Sequence, residues 1–225
     1  INSNISLEKS GGSFANVTID QFLKTRNRFL INTNVTLNIN TNAELIVYKM
    51  IENNGTVNNN GKITNRYRIF SNGEIDYHSF MKAKPKVIDR ATSDSLIVTV
   101  SNFIHPKMTS SISRYWQLSG NKKLNSYTIE LYYDDNVLNG QDPNFLEAYI
   151  TSDNGISWKK ISNPINTQRD LTNKKITIGT ANNPITLVGD IILSSGNVTN
   201  VPSISVSISG RKEVRVGPPN RYTIS

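Results

Sequence analysis

Three stretches of the chain carry residue types able to do chemistry. Asp134, Asp135 and Asp142, with Asn136 and Asn139 between them, crowd oxygen ligands into one short loop. Calcium is held by carboxylates and amide carbonyls of this kind. The run lacks the alternating Asp-x-Asp-x-Asn-Gly order and closing Glu of an EF-hand, and Asp and Asn are also ordinary turn residues. A second stretch, Thr151-Ser152-Asp153-Asn154-Gly155-Ile156-Ser157-Trp158, fits the pattern Ser/Thr-x-Asp-x-Gly-x-Ser/Thr-Trp. A third group is aromatic: Tyr115, Tyr132, Tyr133 and Tyr149 stand in alternating stretches, so some must face outward, where a ring can stack on a sugar. Tyr132 and Tyr149 are the candidates for binding; the ordinary alternative is cross-strand pairing on a sheet face.

Most catalytic chemistry finds no footing. His78 and His105 are the only histidines and there is no cysteine, which removes thiolate metal sites and disulfides. No Gly-x-Ser-x-Gly elbow, Walker loop or Gly-x-Gly-x-x-Gly stands in the chain. No catalytic residue is assigned, and no cofactor is expected beyond calcium at the acidic loop. The 25 Lys and Arg against 17 Asp and Glu leave a formal charge of +8. The cations are scattered, as Lys82, Lys84 and Lys86, Lys122-Lys123, Lys159-Lys160 and Lys174-Lys175, whereas a nucleic-acid binder gathers them on one face. Nucleic acid is therefore not an expected partner; attraction to anionic glycans or cell surfaces is.

The elements that must position these residues are strands. The chain has 225 residues, is 19% charged, and takes its polarity from about thirty asparagines together with serine and threonine. These are indifferent helix formers. No apolar run approaches the roughly 18 residues that would span a bilayer. Between residues 33 and 81 the aliphatic residues keep a six-residue beat: Ile39, Leu45, Ile51, Val57, Ile63, Ile69 and Ile75. An even period keeps side chains on one face of extended chain. Asn54-Gly55, Asn60-Gly61 and Asn72-Gly73 mark corners, where glycine is expected to supply positive φ. Two architectures satisfy the pattern: a β-solenoid with asparagine ladders between its coils, or a meander of hairpins. Upstream, Asn16–Ile19 reads as strand, and Asp20 could cap a short helix through Lys24.

From Lys82 to Ser195 the spacing changes. Tyr127, Ile129, Leu131 and Tyr133 alternate with polar neighbours, as do Leu96, Val98 and Val100, Ile176 with Ile178, and Ile185 with Leu187. Turn residues lie between them, which predicts an antiparallel β-sandwich. Trp116 and Trp158 are the expected core anchors, each burying on the order of 200 Å².

The Asn-Gly-rich stretch resembles the solenoid regions of large bacterial surface proteins. Ser113–Leu118, Ile129–Asp134, Leu146–Ile150 and Trp158, in that order, resemble a β-sandwich module of secreted multi-domain proteins of Bacteroidetes-type bacteria. Ile204–Ile208 and Val214–Ile224 are similar to the first strands of bacterial immunoglobulin-like repeats. The pattern at residues 151–158 is that of the Asp box of sialidases and related propellers. That resemblance implies a structural hairpin in which Thr151 and Asp153 bond the turn, Gly155 takes the strained position and Trp158 packs beneath. A propeller repeats the box by blade; this chain has one copy.

The expected organisation is all-β: a solenoid-like region at 1–81, a sandwich at 82–195, and a linker with incomplete immunoglobulin-like strands at 196–225. The chain opens at Ile1 without a leader pattern and closes on strand-like Asn220–Ser225, so both ends read as cuts within a longer protein. The expected role is a non-catalytic extracellular structural or adhesive segment of a bacterial surface protein or filament. Its expected partners are neighbouring domains or copies, through strand pairing, and glycans. The alternative is a carbohydrate-binding or accessory module of a secreted hydrolase.

Overall fold

A computed structural model describes residues 5–7, 15–49, 51–68, 73–74, 81–89, 95–120, 126–161, 167–180, 182, 184 and 188–196. Within them the protein is all-β, with parallel and antiparallel sheets and two short 3-10 turns. No helix among these residues is long and apolar enough to cross a membrane. The expected strands at Ile204–Ile208 and beyond, together with Ile69, Ile75, Ile185, Leu187 and His78, lie outside the described residues.

The first nine strands are β1 (Ile5–Leu7), β2 (Ala15–Ile19), β3 (Phe22–Thr25), β4 (Phe29–Ile31), β5 (Val35–Ile39), β6 (Glu44–Val47), β7 (Ile51–Asn53), β8 (Thr56–Asn59) and β9 (Lys62–Arg68). Strands β1 to β6 each pair in parallel with the strand three places later, giving the stacks β1-β4-β7, β2-β5-β8 and β3-β6-β9. Parallel pairing excludes the hairpin meander, whose neighbours run antiparallel. It also explains the six-residue beat, which places one aliphatic residue on each successive strand. Ile39, Leu45, Ile51 and Ile63 are buried, and Val57 is half-buried against the same core. Residues 22–25 are strand rather than the short helix expected from Asp20: Phe22–Thr25 is in register with Glu44–Val47, and one capped turn cannot match that ladder.

Stacking brings equivalent side chains together. Asn58 Nδ2 donates to Asn38 Oδ1 at 2.9 Å, and Thr64 Oγ1 to Glu44 Oε1 at 2.9 Å, each pair 20 residues apart. The Asn-Gly corners work differently from expectation. Gly55 and Gly61 are not among the positive-φ residues; Asn34 and Asn42, in the preceding corners, are, at φ 65° and 70°. Glycine is required at 55 and 61 for close approach, because a Cβ would lie 2.4 Å from the Val35 and Ala43 carbonyl oxygens, respectively. The Gly55 and Gly61 amides donate to Asn53 Oδ1 and Asn59 Oδ1.

Ten further strands are antiparallel in their pairing: β10 (Gly73–Glu74), β11 (Ala83–Asp89), β12 (Ser95–Ser101), β13 (Tyr115–Gly120), β14 (Ser126–Tyr132), β15 (Glu147–Thr151), β16 (Lys159–Lys160), β17 (Thr167–Asp170), β18 (Lys175–Ile178) and β19 (Gly189–Ser194). One sheet has the order β10-β11-β14-β18-β17 and another β16-β15-β19-β13-β12-β9-β6-β3. Strand β9 belongs to both regimes, parallel to β6 on one edge and antiparallel to β12 on the other. Backbone pairing therefore runs without a break from the stacks into the antiparallel region.

The core follows the same path. A single cluster of buried residues extends from Ile19 through Leu45 and Ile63 to Val98, Ile129 and Leu193. The alternating residues of β12, β14 and β18 all enter it. Trp116 is fully buried there, donating from Nε1 to the Met81 carbonyl at 3.1 Å. Trp158 instead joins a smaller cluster with Met108, Tyr115, Tyr149 and Ile192. Because Ile191 and Ile192 of β19 fall in different clusters, both faces of that strand are covered, in accord with side chains alternating between faces.

Candidate functional site

The turn linking β15 to β16 holds the Thr151–Trp158 motif. Thr151 Oγ1 donates to Asp153 Oδ1 at 2.6 Å and accepts from the Gly155 amide at 3.0 Å. Asp153 also accepts from the Ser157 amide at 2.9 Å and from the Ser157 hydroxyl. Those bonds, chiefly the hydroxyl and amide of Ser157, hold the Asp153 carboxyl down to about 2. Asn154 and Gly155 carry positive φ, and a Cβ on Gly155 would meet Lys107 Cβ at 2.7 Å. Trp158 lies edge-on to His105, with centroids 5.0 Å apart, and His105 edge-on to Tyr115 at 4.7 Å. Both carboxylate oxygens of Asp153 are turned onto the hairpin itself, so the motif rigidifies a corner.

His105 is buried. Its Nδ1 accepts from the Lys107 amide, leaving Nε2 to donate to Asp190 Oδ2 at 3.1 Å. Asp190 in turn accepts from Gln117 Nε2 at 3.0 Å. With both ring nitrogens engaged internally, this histidine orients neighbours.

The acidic loop does not converge. Asp134 faces Arg114 and Lys82, Asp135 accepts from Lys174 at 2.5 Å, and Asp142 accepts from the Asn144 amide at the start of a 3-10 turn. Among the described residues no three His, Cys, Asp or Glu side chains gather as a metal site. The three carboxylates stand against cations and a turn amide rather than facing one another. Both tyrosines singled out for binding are engaged within the protein. Tyr149 is 6% exposed and its hydroxyl donates to the Gly196 carbonyl at 3.0 Å. A second cluster on that face of the sheet covers a ring expected to be open. Tyr132 is half-buried, its hydroxyl on Glu130 and the Lys175 ammonium 5.9 Å from its ring centre. A sugar stacking there would have to displace that cation.

Sequence reasoning missed a polar cleft of about 420 Å³ where strand ends meet. Asn58 and Asn59 close β8 and Asn60 follows it, Lys82 precedes β11, Asn102 follows β12, Arg114 precedes β13, and Asp134 follows β14. Asn38 and Asn136 complete the amide lining, and Val57 is its one apolar residue. Asn102 ties the stack to the antiparallel sheets: its Nδ2 donates to the Asn59 carbonyl and its Oδ1 accepts from Arg114 Nε, both at 2.6 Å. Arg114 is 3% exposed, and its Nη1 donates to the Tyr132 carbonyl and to Asp134 Oδ2 at 3.1 and 3.0 Å. Burial draws the Arg114 guanidinium below its ordinary range, opposed by the Asp134 charge. Burial pushes Asp134 up, but Arg114 and Lys82 together outweigh it, so its carboxyl is held low.

A second, more open cavity of 490 Å³ lies beside β6, β9, β12 and β13, where Lys62, Arg66, Glu44 and Asp190 share the lining with Ile46, Ile97 and Leu118. Comparison with known proteins finds no matching family, no similar curated protein and no similar solved structure.

Proposed function

We propose that this chain is a non-catalytic structural and adhesive segment of a large extracellular bacterial surface protein or filament. In this reading the three parallel stacks are the three faces of a short β-solenoid, each coil contributing one strand to every face and taking roughly twenty residues. The five-stranded sheet and the antiparallel part of the eight-stranded sheet are the layers of a β-sandwich that continues it. The observation that carries the proposal is β9, which is hydrogen-bonded to β6 and β12 at once and so joins rod to sandwich through one sheet. Such a joint transmits tension through backbone ladders and an unbroken core, without disulfides.

Strand pairing supplies the partners. Among the described strands, β1 and β2 stand at one end of their sheets and β7 and β8 at the other. Unpaired edges accept another strand by β-augmentation, so neighbouring domains or copies are the proposed partners. Pulled by its ends in single-molecule force spectroscopy, the full chain should unfold in one or two abrupt high-force events. Gradual extension at low force would remove the structural role. Antibodies to the chain should label intact source cells, and labelling only after permeabilisation would remove the extracellular address.

A further inference from the structure

The polar cleft between β8 and the ends of β11 to β14 has the chemistry of a binding site. Arg114 is buried, yet its Nε and Nη1 alone account for its bonds; Nη2 has no partner among the described residues. Lys82 Nζ stands 3.5 Å from Asp134 Oδ1 while Arg114 Nη1 holds Oδ2, so both cations share one wall. Two cations against one carboxylate leave the lining net positive. The remaining surface is amide: Asn58 uses its Nδ2 on Asn38 Oδ1, leaving the Asn58 oxygen, the Asn38 nitrogen and the Asn136 amide for a ligand. Amides both donate and accept, which matches vicinal hydroxyls, and charge-assisted bonds from a guanidinium match a carboxylate.

We propose that this cleft binds the carboxylate-bearing residues of an acidic polysaccharide of the uronate class, with Arg114 and Lys82 on the carboxylate and Asn38, Asn58 and Asn136 on the ring hydroxyls. The volume, 420 Å³, lies within the usual range for small-molecule sites. A peptide strand fits less well: Val57 is the one apolar wall, and the Asn59 carbonyl on the β8 edge is already taken by Asn102. The chain's charge of +8 would draw an anionic polymer toward the site. The proposal adds a ligand to the adhesive role and stands without the mechanical one, whose test is force spectroscopy.

Isothermal titration of the full chain with a galacturonate trimer tests it, with maltotriose as the neutral counterpart. The galacturonate trimer should bind and maltotriose should not. Lys82→Asn removes the cation while keeping a residue that tolerates φ 49°, and should weaken binding about tenfold. Lys159→Gln, at an exposed position elsewhere, should change nothing. Absence of binding, equal binding of the neutral trimer, or an undiminished Lys82→Asn variant would overturn the proposal. An equal loss in Lys159→Gln would also overturn it, since attraction would then be diffuse.

Discussion

At the scale of single residues, polar side chains here are spent on holding corners. Asp153 is the clearest case, and its depressed acidity sets a direction. A carboxyl whose folded value is lowered adds stability above its ordinary range, and that contribution disappears as pH falls through the folded value. Carboxyl-carbon NMR should therefore find Asp153 ionised down to about pH 2, and Asp153→Ala should abolish protection of the Ser157 amide. A midpoint near 4, the ordinary carboxylate value, would show that the hairpin bonds are not formed in solution. Arg114 makes the second case. Arg114→Ala strips partners from Asn102, the Tyr132 carbonyl and Asp134, and should cost on the order of 2 kcal/mol in denaturant unfolding. Asp134 is open enough to solvent to recover part of that loss. Its own lowered carboxyl makes its share of stability vanish on acidification, not on alkalinisation.

Elements bring a different constraint, the distance between stacked chains. Gly55 and Gly61 sit where a Cβ would strike carbonyl oxygens of the preceding corner. Gly61→Ala should destabilise by about 1–3 kcal/mol, read from urea midpoints. Gly61→Asn separates the two explanations: asparagine tolerates positive φ, so it would restore stability if conformation were the reason, and it should fail if contact is. Much of this level could be read from residue order. Alternation in β12, β14 and β18 pointed inward because each strand has one core face, and the aliphatic beat marked successive strands of the stacks. The parallel ladder with its offset of about twenty residues was not legible, since a beat of six shows where strands recur and not which one each meets. Tyr149 was misread because alternation names two faces and cannot say that both are covered. The Arg114 cleft left no local signature, because its walls come from positions 38 to 136 and meet only when strand ends do.

For the whole molecule, the decisive feature is that one sheet and one core serve both halves. Ile63, 1% exposed on β9, lies at the join. Ile63→Ala should cost about 2–5 kcal/mol and lower the stability of both regions together, visible as matched shifts in tryptophan fluorescence and far-ultraviolet dichroism. The most direct test of that continuity is native-state hydrogen exchange resolved along the chain. Amides of β6, β9 and β12 should share the slowest opening and respond alike to denaturant. Fast, independent opening of residues 22–65 beneath a still-protected β12–β13 pair would contradict one continuous sheet and core.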